Sequence, residues 1–271
     1  MTVTPPVALT IAGSDSGGGA GLQADLRTFT ACGVHGCVAV TAVTVQNSLG
    51  VTGVVEIPPS TVADQIRVVT TDIGVAAAKT GMLASAAIIS AVAEVCDEVG
   101  IGASVPLVID PVAASMHGDP LLAGDALAAL RSMLLPRATL VTPNLDEVRL
   151  LVGIEVRSRA EQHEAACALH ALGPQWVLVK GGHLPNDPEC LDLLYNGREF
   201  TTFTGPRLET PHTHGSGDTL AAAITSALAR GAAIPEAVGY GKCYIEQAVA
   251  HAYPLGAGIG PVSPFWRLSP G

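Results

Sequence analysis

Residues 7–32 read VALTIAGSDSGGGAGLQADLRTFTAC, and this segment sets the architecture. Its first part, residues 7–12, is a short apolar run that stops at a glycine-rich segment, which predicts a buried β-strand. Residues 20–32 follow with apolar side chains at helical spacing (Leu22, Leu26 and Phe29) and end at Gly33, which stops the helix. The segment therefore predicts a strand, a glycine-rich loop and a helix in succession.

The same alternation of short apolar runs and helical spacing continues along the chain. Further strands are predicted at residues 38–45, 51–57, 75–79, 106–110, 139–142, 176–180, 191–195 and 199–204, the last two flanking Asn196-Gly197, a strong hairpin signal. Helices are predicted at residues 60–71, 85–99, 124–135, 145–152, 159–172, 215–230 and 235–252. Such alternation predicts an α/β fold with a mostly parallel sheet covered on both faces. No linker or fixed-period repeat interrupts it, so we expect one domain over residues 1–271.

The composition allows a large buried core and argues against several classes of protein. Hydrophobic residues make up 48% of the 271 residues and charged residues 14%, so disorder is not expected. A net charge of −10 argues against binding to nucleic acid or to an anionic membrane. The chain shows no signal peptide, membrane-spanning run, Cys/His zinc spacing or G-x-S-x-G motif. We therefore expect a cytoplasmic protein with reduced cysteines.

Polar and glycine-rich segments follow six of the predicted strands. In chain order they are Gly13 to Gly19, Gln46-Asn47, Lys79-Thr80-Gly81-Met82, Asp110-Pro111, Thr142-Pro143-Asn144 and Lys180-Gly181-Gly182-His183. Ligands of open α/β sheets bind outside the carboxyl ends of the strands. We therefore expect these six segments to line one cleft.

The segment HGSGDTL, residues 214–220, opens a predicted alanine-rich helix. Glycines at a helix start let backbone N–H groups converge on an anion, and the helix dipole favours negative charge there. Phosphoryl transfer to an alcohol needs such donors and also a base near the hydroxyl, which Asp218 supplies in the same turn. The alternative is a helix that Asp218 merely caps or whose dipole it complements.

Four further candidates have a functional interpretation and an ordinary one. Gln46 can recognise a heteroaromatic ring by hydrogen bonds from its side-chain amide, or it can simply hydrogen-bond nearby backbone groups. Asn144 and Glu147, one helical turn apart, can hold Mg²⁺ or form a capping box, and the two interpretations are compatible. Lys180 can meet a nucleotide phosphate or face solvent. Asp25 can point back to a flat substrate or be a solvated helix residue.

The chain closely resembles hydroxymethylpyrimidine/phosphomethylpyrimidine kinases, a family of the ribokinase-like class, over nearly its whole length. The resemblance is carried by residues 8–15, 18–26, 41–42, 46–47, 79–83, 110–112, 118–119, 142–145, 180–184 and 258–262. It implies a ribokinase-like three-layer α/β/α fold, the cofactors ATP and Mg²⁺, and a homodimer. It also implies two successive phosphorylations, which convert 4-amino-5-hydroxymethyl-2-methylpyrimidine to its monophosphate and then to the diphosphate used in thiamine biosynthesis.

The expected site residues fall into four groups. Pyrimidine contacts, implied by the resemblance, are expected at Gly13, Asp25, Thr44, Gln46 and Met82. The catalytic set is Asp218 as base, the N–H groups of Gly215, Ser216, Gly217 and Asp218 as the anion cradle, and Lys180. The nucleotide is expected at Asn144, Lys180, Gly182 and Gly217, and Mg²⁺ at Asn144, Glu147 and Asp110.

The chain departs from the family at the anion cradle. The family commonly reads T-H-G-T-G-C there, whereas residues 213–218 read THGSGD, so that Asp218 stands where cysteine is usual. Most other ribokinase-like enzymes also have aspartate at this position, so the departure is compatible with kinase chemistry. Thr44 likewise occupies a position that is often apolar. Two alternatives therefore stay open: a pyridoxal/pyridoxine kinase, and a pyrimidine-binding protein of the same fold without catalysis.

Overall fold

A computed structural model describes residues 4–112, 124–182, 184 and 189–268. Gly118, Asp119 and His183, which belong to the segments that carry the resemblance, lie outside the described residues. The described part contains one nine-stranded sheet in the order β3-β2-β1-β4-β5-β6-β7-β8-β9. Its strands are β1 (Val7–Ser14), β2 (His35–Asn47), β3 (Gly50–Glu56), β4 (Ala77–Thr80), β5 (Leu107–Ile109), β6 (Leu140–Val141), β7 (Trp176–Val179), β8 (Glu189–Tyr195) and β9 (Phe200–Pro206).

The centre of the sheet is parallel and its two edges are antiparallel. β2, β1, β4, β5, β6 and β7 pair in parallel, whereas β3 runs antiparallel to β2, and β8 and β9 continue antiparallel from β7. The helices are α1 (Gly21–Ala31), α2 (Pro59–Asp72), α3 (Ala86–Val99), α4 (Gly124–Ala129), α5 (Leu145–Val152), α6 (Arg159–His170), α7 (Ser216–Ala229) and α8 (Ile234–Ala250). The mostly parallel sheet predicted from the sequence is confirmed.

Two hydrophobic clusters cover the two faces of the sheet, because successive residues of a strand point to opposite sides. On β1, Leu9 packs into a cluster with α2 to α6, whereas Ala8 packs into a second cluster with α1, α7 and α8. Every residue of α7 from Thr219 to Ala229 is buried. A helix buried on all sides is held firmly, so the fold fixes where α7 begins.

Two elements differ from the prediction. β2 extends to Asn47 rather than residue 45, because its last residues pair with β3 in a two-stranded ribbon that projects beyond β1. The helix predicted over residues 124–135 is α-helical only to Ala129 and continues as a π turn (Leu130–Leu134) and a 3₁₀ turn (Leu135–Arg137). Pro136 has no N–H for an α-helical hydrogen bond, which accounts for the break. No helix of the described residues is long and apolar enough to cross a membrane.

Candidate active site

The start of α7 presents backbone N–H groups at the carboxyl edge of the sheet. Gly215 precedes the helix in the left-handed region, with φ of 74°, a conformation that favours glycine. The N–H of Ser216, which the sequence placed in the anion cradle, donates instead to the carbonyl of Thr213. Within the described residues no acceptor takes the N–H groups of Gly215, Gly217 or Asp218. These three donors and the helix dipole suit an anion.

Asp15 fastens the first glycine-rich loop to the segment that precedes α7. Its carboxylate accepts hydrogen bonds from the N–H groups of Gly17, Gly19 and Ala20 at 2.8 to 2.9 Å. His214 Nε2 lies 3.0 Å from Asp15 Oδ2. Burial raises the pKa of Asp15, but the hydrogen bonds from His214 and the backbone outweigh it and hold that pKa below its usual value. The two loops that frame the cleft are therefore held together.

A buried ion pair lies beneath Asp218. Lys79 Nζ is 2.8 Å from Asp25 Oδ1 and 3.5 Å from Asp218 Oδ1, and Thr10 Oγ1 donates to Asp25 Oδ2 at 2.6 Å. Asp25 has no exposed surface, so the pyrimidine contact expected of it would require one of these bonds to open. Burial raises the pKa of Asp25 despite the opposing ammonium. Burial lowers the pKa of Lys79, but Asp25, Asp218 and Asp110 together raise it above its ordinary value.

Lys180 forms a second charged cluster beside the first turn of α7. Its Nζ is 3.1 Å from Asp110 Oδ1 and 4.0 Å from Glu147 Oε2, and its side chain is 14% exposed. Burial lowers the pKa of Lys180, and Asp110 and Glu147 outweigh that effect and raise it. The lysine is therefore a charged, paired group rather than a solvent-facing one. A Cβ on Gly217 would lie 3.2 Å from Asp110 Oδ2 and 3.5 Å from Lys180 Nζ, so α7 begins directly against this cluster.

Asn144 and Glu147 form a complete capping box at the start of α5. Glu147 N–H donates to Asn144 Oδ1 at 2.9 Å, and Asn144 N–H donates to Glu147 Oε2 at 2.7 Å. Among the described residues, no group of three or more His, Cys, Asp or Glu side chains is arranged to hold a metal ion. Mg²⁺ does not need such a cage, because it is often bound by one or two carboxylates together with substrate phosphates. Asp110 and Glu147, on either side of Lys180, fit that requirement.

The residues expected to contact the pyrimidine, apart from Asp25, lie at the end of β1 and on the ribbon. A Cβ on Gly13 would come within 2.5 Å of Met82 Cε, so these two residues are in close contact. Thr44 Oγ1 donates to the carbonyl of Ser14 at 2.7 Å, and it lies 3.2 Å from Gln46 Oε1. Gln46 is half-buried. The ribbon thus brings the amide of Gln46 to the carboxyl end of β1.

Consecutive residues of α7 face the two halves of the cleft. Asp218 Oδ1 lies 3.7 Å from where a Cβ of Gly81 would be, next to Met82. Gly217 lies instead against Asp110 and Lys180. The base and the anion cradle therefore meet within one helical turn, between Gly13, Gly81 and Met82 on one side and the charged cluster of Lys180 on the other.

Lys79, Asp15 and His214 belong to the site but were not predicted from the sequence to have a role in it. Two signals could have drawn attention to them. A lysine at the end of a strand buried on both faces needs an anionic partner. An aspartate two residues before a run of glycines is a favoured acceptor for the N–H groups of the turn. The identity of each partner could not be predicted, because Asp15 and His214 are 199 positions apart.

A sequence model of the family described as phosphomethylpyrimidine kinase matches residues 15–263. The chain belongs to that family. A hydroxymethylpyrimidine/phosphomethylpyrimidine kinase of Mycobacterium leprae is 59% identical over 268 residues, which cover 97% of this chain and 95% of the relative. The protein is thus a kinase, as the sequence predicted.

Solved structures of related kinases share the whole fold. An ADP complex of Bacillus subtilis pyridoxal kinase is 38% identical with a TM-score of 0.89, covering 98% of this chain and all of that one. A phosphomethylpyrimidine kinase from Clostridium difficile is 38% identical with a TM-score of 0.80, covering 90% of this chain and 99% of that one. The predicted ribokinase-like three-layer fold is confirmed.

Proposed function

We propose that this kinase transfers the γ-phosphoryl group of ATP to the hydroxymethyl oxygen of 4-amino-5-hydroxymethyl-2-methylpyrimidine. It then phosphorylates the monophosphate to the diphosphate used in thiamine biosynthesis. Membership in the phosphomethylpyrimidine kinase family and the name of the M. leprae relative support both steps. The ADP bound by the B. subtilis pyridoxal kinase supports an adenine nucleotide as donor.

The observation that carries the proposal is the placement of Gly217 and Asp218 in one turn of α7. Asp218 faces the Gly81 side of the cleft, where the acceptor binds, and takes the proton from its hydroxyl group. The N–H groups of Gly215, Gly217 and Asp218 stabilise the charge on the travelling phosphoryl group. One helix start thus serves both the nucleophile and the phosphoryl group.

The nucleotide phosphates bind along the Lys180 side of the cleft. Lys180 Nζ is directed by Asp110 toward Gly217, where it meets the γ-phosphate. A Cβ on Gly182 would contact none of the described residues within 4 Å, which leaves room for the nucleotide on that side. Asn144, also assigned to the nucleotide, acts mainly through its cap, which fixes Glu147 at the start of α5.

Asp110 and Glu147 would hold Mg²⁺, with Asn144 in support. The ion supplies positive charge to the β- and γ-phosphate oxygens when it is bound. The protein holds both carboxylates within 4.0 Å of Lys180 Nζ. The metal ion and the ammonium of Lys180 would therefore contact the same two carboxylates. Chelation with EDTA should abolish turnover, and added Mg²⁺ should restore it.

The pyrimidine ring lies between the end of β1 and the ribbon of β2 and β3. Gly13 and Met82 provide a flat apolar contact, and the absence of a side chain at Gly13 allows it. Thr44 positions Gln46, whose amide both donates to and accepts from the heteroaromatic edge. Asp25 supports this pocket from below through its buried bond to Lys79.

The kinase is proposed to act as a homodimer in the cytoplasm. On the ribbon, Val43 lies opposite Val55, and both are exposed together with Val45, which is 59% exposed. These residues form an apolar face on the edge of the sheet, which favours association with a second copy. The cytoplasmic location is supported by ATP as donor and by the free thiols of all six cysteines.

A coupled ADP-release assay tests the substrate. We expect turnover with the hydroxymethylpyrimidine and with its monophosphate, each faster than with pyridoxal. The structural similarity to B. subtilis pyridoxal kinase makes pyridoxal the proper competitor. A clear preference for pyridoxal would replace the proposed substrate, and tight pyrimidine binding without ATP turnover would contradict the proposed function.

A further inference from the structure

Lys79 is a buried cation between two carboxylates at the floor of the cleft. Its ammonium lies 2.8 Å from Asp25 Oδ1 and 3.5 Å from Asp218 Oδ1. The side chains of Lys79 and Asp25 are fully buried, whereas that of Asp218 keeps 15% exposure. Asp218 is therefore the member of this triad that reaches the acceptor, and the other two support it from beneath.

We propose that Lys79 is a positioning residue for Asp218, an inference that rests on the proposed role of Asp218 as base. Lys79 attracts Oδ1 of Asp218 and so leaves Oδ2 for the acceptor hydroxyl. It also compensates the charge of Asp25. Two neighbouring carboxylates without a cation favour the protonation of one of them. Without Lys79, the carboxylate of Asp218 would lose the contact that holds Oδ1 and leaves Oδ2 for the alcohol.

The charged groups that face Lys79 come from three elements. They are Asp25 on α1, Asp218 on α7 and Asp110 after β5. Asp25 is held in place, because Lys79 and Thr10 engage both of its oxygens. The base therefore lies in a balance of two contacts: Lys79 attracts the carboxylate of Asp218, and the neighbouring carboxylate of Asp25 repels it.

This balance predicts opposite effects of two substitutions on the pH dependence of kcat. Lys79→Met should move the acid limb of the profile to higher pH by about one unit or more, because an opposite charge within a few ångströms has been removed. It should also lower kcat about tenfold on the plateau of the profile, because the carboxylate of Asp218 is no longer oriented toward the alcohol. Asp25→Asn should move the acid limb to lower pH. A merely structural role would shift neither limb.

Lys242→Met is the matched control. Lys242 is also a buried lysine, and from α8 it pairs with Asp192 of β8 at 2.9 Å. Its removal should lower the thermal midpoint of unfolding while leaving the acid limb in place. A displaced limb in this control would mean that loss of any buried lysine perturbs the profile, and the proposal would be overturned.

An acid limb that stays in place in folded Lys79→Met also overturns the proposal. If that variant does not fold, the test rests on Asp25→Asn. An acid limb of the kcat profile at lower pH than in the wild type supports the proposed balance, and a limb at the same or a higher pH refutes it. Failure of the proposed function is distinguishable, because it appears as wild-type turnover in Asp218→Asn. An inactive Asp218→Asn variant with unmoved limbs in the other two removes only the role of Lys79.

Discussion

Gly217→Ala should lower the catalytic activity without lowering the stability of the protein. A methyl group at this position would lie 3.2 Å from Asp110 Oδ2 and 3.5 Å from Lys180 Nζ, where the cradle meets the charged cluster. The first distance is tight enough that the carboxylate must move by a few tenths of an ångström. Alanine is otherwise favoured over glycine within helices by up to about 1 kcal/mol. The variant should therefore be as stable as the wild type or slightly more so.

Its catalytic effect should be large. A displacement of well under 1 Å at Asp110 and Lys180, with a methyl group beside the phosphoryl position, should lower kcat/KM about 10- to 100-fold. This corresponds to about 1.4 to 2.7 kcal/mol of lost transition-state stabilisation. Steady-state kinetics with ATP and the hydroxymethylpyrimidine, together with urea denaturation, measure the two quantities on the same preparation.

Two other glycines provide the comparison. Gly124 also lies in the first turn of a helix, and a Cβ there would meet no atom of the described part of the chain within 4 Å, so Gly124→Ala should leave activity unchanged. Gly215→Ala should instead destabilise the protein by about 1–2 kcal/mol or more, because φ is 74° and a Cβ would overlap the carbonyl of Gly19. Undiminished kcat/KM in a stable Gly217→Ala variant would refute the placement of the phosphoryl group against Gly217.

Three further variants test other parts of the account. Asp15→Asn should lower the free energy of unfolding at pH 7 by about 1–3 kcal/mol. Because the pKa of Asp15 is lowered in the folded state, its stabilisation is present above the unfolded pKa of about 4 and is lost as pH falls through the folded value. Denaturation should therefore show a smaller difference in the free energy of unfolding between wild type and variant at pH 3 than at pH 7. An equal difference at both pH values would contradict the role of the Asp15 charge. Lys180→Met should lower kcat/KM for ATP about 10²-fold, because a charge aimed at the phosphates is lost; a normal value would place the phosphates elsewhere. Val45→Asp should shift the molecular mass measured by light scattering from dimer to monomer, and an intact dimer would locate the interface away from the ribbon.

Periodicity predicted the layers of this fold because each element buries one face or both. Leu22 and Phe29 recur at helical spacing, and both are buried in α1. The full length of β2 was harder to predict, since Val43 and Val45 are exposed on a ribbon, where burial does not set the pattern.

The sequence predicted individual residues of the candidate site, but it did not predict which of them contact one another. Strand-end location correctly suggested that Lys180 and Asp110 would lie near one another, because parallel strands end at one edge. The contact partners of these residues could not be predicted. Lys79 and Asp25 are 54 positions apart, and their pairing depends on the adjacency of β1 and β4 in the sheet. The resemblance implies a ring contact for Asp25, and the structure shows its side chain fully buried against Lys79 and Thr10.

The role of Asp218 is tested most directly by the single-turnover rate of phosphoryl transfer in Asp218→Asn. Loss of a general base should slow this step by about 10²- to 10⁴-fold, while calorimetry should give a pyrimidine affinity close to that of the wild type. A transfer rate within a few-fold of the wild type would show that the proton leaves by another route.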